Sequence, residues 1–186
     1  MSDAQSVSLR GGQHALIGRA VPEEAAALLD YLEQVAGESD FLSFGKGEVG
    51  LSVEQEAALV RRLHEQGEGV MLKASIDGQL VAIATLTRLP RPRLRHGASF
   101  GLSVLRQYWG MGLGRALTEA VILEARAIGL TRIELRVRHD NARAVSLYEA
   151  VGFELEGRLR GAFAVDGVQY DDLLMGLHLH RPRAPR

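Results

Sequence analysis

The chain has 186 residues, 46% hydrophobic, 24% charged and 5% aromatic, which suits one globular domain and is too apolar for a disordered segment. A formal net charge of −1 supplies no global field to draw the protein toward nucleic acid or anionic lipid. The absence of cysteine excludes a disulfide framework, a thiolate metal site and a cysteine nucleophile.

Residues 1–12 read as an N-terminal tail, residues 13–180 as a single folded domain and residues 181–186 as a C-terminal tail. No apolar run of the signal-peptide kind opens the chain, and no stretch reaches the ~18 apolar residues of a membrane span. The expectation is a soluble cytoplasmic protein with no membrane or nucleic-acid partner. His14–Arg19 reads as a strand. Pro22, Glu23 and Glu24 suit the first turn of a helix that runs to about Gln34. A Gly-rich loop follows over residues 37–50. Ser52 and Gln55 are spaced as a capping box for the next helix. Val70–Ile76 and Gln79–Thr87 alternate as strands around Asp77-Gly78, a strong hairpin signal.

Ala98–Leu105 is the next strand. Glycines at 110, 112 and 114 then lead into an amphipathic helix that puts Leu113, Ala116, Leu117, Ala120, Val121, Ala127 and Ile128 on one face and stops at Gly129. Arg132–Arg138 alternates strictly, burying Ile133, Leu135 and Val137. Asp140 or Asn141 caps a helix reaching Val151 and closed by Gly152. Phe153–Arg160 and Gln169–Leu179 are the last strands, with Asp166-Gly167 turning between them. The order is β-α-α-β-β-β-α-β-α-β-β, a mixed α/β arrangement with at least one βαβ crossover.

Charge is uneven along the chain. Leu86–Arg115 carries Arg88, Arg91, Arg93, Arg95, Arg106 and Arg115 with no acid, whereas Asp30–Glu68 carries nine acids against Lys46, Arg61 and Arg62. Two solvated faces explain this; so does a polyanion bound at one place and a cation at another.

The segment from Leu102 to Leu117 is a strand, a short loop and a helix that opens on glycines. A helix start offers unpaired N–H groups and the positive end of the dipole, and glycines let an anion approach. A P-loop is excluded because no Lys is present. A dinucleotide fingerprint fails because its last glycine position, counted from Gly110, is Arg115. That disfavours a nicotinamide oxidoreductase. A ligand-free tight turn remains open on these residues alone.

Two further motifs lie downstream: Asn141, Ala144 and Tyr148 on one helix, then Gly152-Phe153. With Gly112 and Gly114 they make residues 13–179 resemble the GCN5-related N-acetyltransferase (GNAT) family, whose phosphate turn reads (Arg/Gln)-x-x-Gly-x-(Gly/Ala). One departure is Trp109, at the Arg/Gln position. The resemblance implies a central, mostly antiparallel mixed sheet with splayed parallel fourth and fifth strands, flanked by about four helices. It implies acetyl-CoA as co-substrate, with the pantetheine arm along the backbone of Leu102 and Val104. The diphosphate would be held by the amides of Gly110, Met111, Gly112, Leu113, Gly114 and Arg115, with the basic run from Leu86 to Arg115 around it. Asn141 would bond the pantetheine arm. Tyr148 would protonate the leaving thiolate. The two lie seven residues apart, about 20° from alignment on a helix face. Asn141 is equally a helix cap, and Tyr148 equally a core aromatic.

The implied reaction is direct transfer of acetyl to a primary amine on a small molecule or a protein N-terminus. A catalytically idle acyl-CoA sensor is the alternative. Glu38, Asp40 and Phe41 would line the acceptor mouth, and the Val104 amide is the candidate oxyanion donor. Family habit admits a homodimer. No metal is implied: His178/His180 is the single close histidine pair, and it sits on a terminal strand.

Overall fold

The computed structural model describes residues 4–179. Among them eight strands form one sheet: β1 (Gln5–Ser8), β2 (His14–Arg19), β3 (Gly69–Ile76), β4 (Gln79–Arg88), β5 (Gly97–Val104), β6 (Arg132–Arg138), β7 (Glu154–Val165) and β8 (Val168–His178). Their spatial order is β1-β2-β3-β4-β5-β6-β8-β7. Four helices flank it: α1 (Ala25–Ala36), α2 (Val53–Glu65), α3 (Leu113–Ala127) and α4 (Ala142–Val151). Every neighbouring pair is antiparallel except β5–β6. This is the mixed sheet that the resemblance implied. Its parallel pair is fifth and sixth here because one strand precedes those read from the sequence. No helix among the described residues is long and apolar enough to cross a membrane.

Local chemistry accounts for the element ends. The Ser52 hydroxyl accepts the Gln55 N–H while the Gln55 side chain accepts the Ser52 N–H, at 3.3 and 2.8 Å. Asp77-Gly78 and Asp166-Gly167 both take positive φ, as a tight hairpin with right-handed strand twist requires. Ile133, Leu135 and Val137 are buried, as the alternation predicts.

Four expectations need correction. Residues 5–8 are no loose tail: they pair with β2 from Gln5/Ile17 to Ser8/His14. That strand buries little side chain and is held by main-chain bonds, which composition does not reveal. The first helix opens as a 3-10 turn over Pro22–Glu24 before α1. The β7–β8 hairpin runs right up to its turn, because Phe163, Ala164 and Val165 pair with Tyr170, Gln169 and Val168. On α3, Thr118, Ile122 and Ala125 join Leu113, Leu117 and Val121 in the core, with the Thr118 hydroxyl bonded to the Gly114 carbonyl at 2.8 Å. Residues 180–186, which include the expected C-terminal tail and His180 of the histidine pair, lie outside the described residues.

Both carboxylate oxygens of Glu56 on α2 are buried without a hydrogen-bond partner, and burial raises its pKa. His64 has a more specific role, since its Nε2 accepts the Met71 N–H at 3.0 Å and must be unprotonated to do so. Burial, then the Arg19 guanidinium, hold its pKa below the ordinary value. The unfolded ring titrates near 6.5, so this stabilisation is present above about pH 6.5. It is lost as pH falls from there through the lower folded value. His64→Gln keeps an acceptor and does not titrate. The melting temperature of the parent should therefore fall more than that of His64→Gln between about pH 7 and pH 5. Parallel curves in scanning calorimetry would remove His64 as the cause.

Candidate active site

The parallel strands separate part-way along. β5 and β6 pair through Gly97/Arg132, Ala98/Ile133 and Ser99/Glu134 only, although β5 continues to Val104 and β6 to Arg138. Beyond that point β5 is paired on one side, with β4. The Leu105 N–H reaches the Val81 carbonyl of β4 at 3.0 Å. Main-chain groups alternate sides along a strand, so Ser103 and Gly101 also point to β4. Leu102 and Val104 turn theirs into the gap, where the sequence reading needs them. One of these groups is taken: the Trp109 indole N–H donates to the Val104 carbonyl at 2.7 Å.

The glycine turn lies at the end of β5. Gly110 and Gly112 have φ of +78° and +92°, in the left-handed region that other residues enter at a cost. A Cβ at either would meet no atom within 4 Å, so the backbone there is bare. Gly112 is the N-cap of α3, and no side chain caps that end. The first-turn N–H groups are therefore free to accept an anion. Gly114 serves packing, since its Cβ would lie 3.3 Å from Leu147 and 3.5 Å from Leu102. Leu113 is buried and the Arg115 side chain pairs with Glu119 at 2.8 Å. The Met111 carbonyl accepts the Arg10 N–H at 3.0 Å, tying the N-terminal segment to this turn.

The basic run does not gather here. Arg88 bonds the carbonyls of Gly67, Arg95 and Ile128, and Arg91, Arg93 and Arg95 sit in the β4–β5 connection. That connection is at the opposite end of β5, about 25 Å away for a strand of this length. Arg106 and Arg115 alone share the turn's end of β5. Arg143, which the charge count passed over, joins them: its guanidinium lies 4.3 Å from the Trp109 ring, and that of Arg106 lies 5.4 Å from it.

On α4, Asn141 is the N-cap, and its side-chain oxygen accepts the Ala144 N–H at 3.3 Å. The capping role weighed for it is thus realised. Tyr148 is 7% exposed, edge-on to Phe100 of β5 at 6.1 Å and 5.7 Å from Phe153. Burial pushes its phenol up to about 12.

Two faces of the sheet divide the work. Gly114 of α3 meets Leu102 and Val104, whereas Tyr31 of α1 donates to the Ser103 hydroxyl at 3.0 Å on the other side of β5. Burial also raises the Tyr31 phenol well above its ordinary value. On this α1 side, Glu38 accepts the Arg106 N–H at 2.6 Å while the Arg106 guanidinium donates to the Glu38 carbonyl at 2.7 Å. An open cavity of about 430 Å³ lies beside them, lined by Gln34, Gly37, Glu38, Arg106 and Gln107. Asp40 and Phe41 meet at Arg138, the last residue of β6. Its guanidinium donates to the Asp40 carbonyl at 3.0 Å and stacks 4.4 Å from Phe41 and 3.9 Å from Tyr170. It is also bidentate to Asp140, at 2.7 and 2.8 Å, and that pairing holds the Asp140 carboxyl below its ordinary range. Sequence reading missed Arg138, Tyr31 and Ser103. A signal existed for Arg138, since strict alternation sets it opposite the buried Ile133, Leu135 and Val137.

A sequence model of the Acetyltransferase (GNAT) family matches residues 40–153. The chain belongs to the GNAT family. Within it, the chain is 39% identical over 87 residues to the L-amino acid N-acetyltransferase AaaT of Escherichia coli (strain K12), covering 46% of this chain and 54% of that one. It thus spans about half the length of that relative. It is 31% identical over 113 residues to the [Ribosomal protein bS18]-alanine N-acetyltransferase of the same organism, covering 60% of this chain and 74% of that one. Among solved GNAT structures, an acetyltransferase from Streptococcus pneumoniae superposes with a TM-score of 0.85 at 32% identity, over 88% of this chain and 99% of that one. The fold alone is shared with yncA from Salmonella typhimurium, solved with acetyl-CoA: TM-score 0.80, 19% identity, 92% and 98% covered.

Proposed function

We propose that the protein transfers the acetyl group of acetyl-CoA to a primary amine by direct attack in a ternary complex. The observation that carries this reading is the open edge of β5 leading straight into an uncapped helix start. The residues present fit the co-substrate. Leu102 offers main-chain bonds to a pantetheine arm laid down as an added strand, which brings the thioester oxygen to the Val104 N–H. The N–H groups of residues 110–115 receive its diphosphate. Asn141 sits at the start of α4, where its amide can bond the arm while its oxygen caps the helix. In this reading the Val104 N–H stabilises the oxyanion and Tyr148 meets the leaving sulfur.

The acceptor is an amine carried by a small molecule or a protein N-terminus. Two relatives support an α-amino group by their names, one an L-amino acid N-acetyltransferase and the other a ribosomal-protein alanine N-acetyltransferase. Chemistry points the same way. A Lys-type ammonium lies about three units above neutral pH and costs about 4 kcal/mol to deprotonate, whereas an α-amino group lies within about one unit.

Calorimetry at neutral pH should give acetyl-CoA binding, and a panel of amines should release free thiol. Failure to bind acetyl-CoA ends the reading. Tight binding with silence across the panel leaves the idle acyl-CoA sensor in its place.

A further inference from the structure

We propose that Asp172 receives the ammonium group of the acceptor and takes its proton, beside the loop and the hairpin that Arg138 holds together. The proposal rests on the acetyltransferase reading and names the acceptor class: an α-amine.

Asp172 lies directly across from Arg138 in the β6–β8 register, so the two side chains share a face. Tyr170, two residues earlier on β8, shares it too, and Phe163 is its partner on β7. This is the face on which Arg138 meets Asp40 and Phe41. Arg138 ends the stretch of β6 that has no partner on its β5 side, so Asp172 stands one strand behind the gap, about 4.8 Å away. The acceptor loop, the end of β6 and the β7–β8 hairpin therefore surround one spot, and the Arg138 guanidinium fastens all three.

Asp172 is 7% exposed. Its carboxylate makes no hydrogen bond or ion pair with the described residues. Unlike the carboxylate oxygens of Glu56, those of Asp172 keep contact with solvent, so they are open to a ligand. Arg138 does not need it as a counter-ion, because Asp140 already holds that guanidinium bidentately at 2.7 and 2.8 Å. Arg136, on the same face of β6, is the other cation near it. Burial raises the Asp172 pKa against the opposing pull of Arg136 and Arg138. Neighbouring Asp171 points to the opposite face, where Arg158 pairs with it at 2.6 Å.

The proton balance is complete. An ammonium proton passes to the Asp172 carboxylate, leaving a neutral amine. The nitrogen lone pair forms the C–N bond at the thioester carbonyl. The C–S bond then breaks, the second nitrogen proton goes to sulfur, and Asp172 releases its proton to water. Proton transfer to a carboxylate is less uphill from an α-amino group near 8 than from a lysine near 10.4.

Calorimetry at neutral pH tests this with two probes, each titrated with and without CoA: L-alaninamide, an α-amine, and propionamide, the same skeleton without the amine. L-alaninamide should bind the parent and bind Asp172→Asn about tenfold more weakly or worse, one charge-assisted bond having been lost. Asp172→Glu keeps the charge and should stay within about threefold of the parent. Propionamide should bind none of them, and CoA all three equally. Arg138→Gln should speed amide hydrogen exchange over residues 38–44 without changing CoA affinity. Equal L-alaninamide affinity in parent and Asp172→Asn overturns the proposal, as does its failure to bind the parent. A loss of melting temperature in Asp172→Asn with amine affinity intact makes Asp172 a counter-ion, which also overturns it. CoA failing to bind while the amine results hold ends the acetyltransferase reading alone.

Discussion

Gly112→Asp should abolish acetyl-CoA binding and leave the fold intact. The two effects separate because of what surrounds this residue. Its φ of +92° strains any side chain, but Asp and Asn tolerate the left-handed region better than most residues. No atom lies within 4 Å of the new Cβ, so nothing is displaced. A carboxylate here meets the positive end of α3 and lies beside its free N–H groups. Those are the groups that a diphosphate needs. The variant supplies its own anion to the site and adds a like charge beside the ligand. Each hydrogen bond to a charged group is worth about 1.5–3 kcal/mol, so losing two corresponds to roughly a 100-fold weaker complex or worse. Gly112→Ala separates strain from charge: it carries the backbone cost of about 1–2 kcal/mol without the carboxylate and should bind more weakly than the parent but measurably. Calorimetry with acetyl-CoA and a thermal melt on each protein decide it. An Asp variant that binds within about threefold of the parent would place the diphosphate elsewhere.

The elements legible in the sequence were those specified by short-range chemistry. Ser52 and Gln55 close on one another, Asp77-Gly78 turns a hairpin, and the alternation of Arg132–Arg138 buries the residues it should. The glycine turn was legible for the same reason: positive φ at Gly110 and Gly112 is a local demand. What escaped was long-range. β1 exists because β2 offers it main-chain partners, and its side chains carry no mark of that. The arginines from 88 to 95 are close in sequence to the turn and a whole strand away in space, so counting charge in a window misplaced them. Arg143 and Arg138 lie further along the chain, yet one stacks on Trp109 and the other binds the loop at Asp40. The three acceptor-side residues named from sequence prove unequal. Glu38 is committed to the Arg106 main chain, Asp40 is anchored through its carbonyl and Phe41 is a wall. Asp172 adds a carboxylate without a hydrogen bond among the described residues, and no sequence spacing could set it beside them, because β8 reaches β6 only by crossing back from β7.

Tyr148→Phe should lower kcat by roughly 10- to 100-fold while acetyl-CoA affinity stays within about twofold, and the energetics of the phenol set that size. Burial pushes the group up to about 12, so at neutral pH it is fully protonated and a donor. A thiol titrates near 8.5, which makes outright proton transfer from Tyr148 to a thiolate uphill by about 3.5 units, or about 5 kcal/mol. On the proposed reading the hydroxyl would act as a hydrogen-bond donor to sulfur as charge gathers there, and the proton that ends on sulfur would come from the attacking nitrogen. A hydrogen bond to a developing anion is worth about 1.5–3 kcal/mol, hence the predicted loss, where a full general acid would cost up to about 10⁴-fold. The substitution should not disturb the fold. The hydroxyl makes no hydrogen bond with the described residues, and the ring keeps its contacts with Phe100 and Phe153. The pH profile gives an independent check. With the phenol at about 12, the parent should show no fall in rate due to Tyr148 between about pH 7 and pH 10. Single-turnover thiol release at saturating acetyl-CoA, compared between parent and Tyr148→Phe, measures the effect on chemistry alone. Rates equal within about twofold would remove Tyr148 from the mechanism and leave it as a member of the Phe100 and Phe153 cluster.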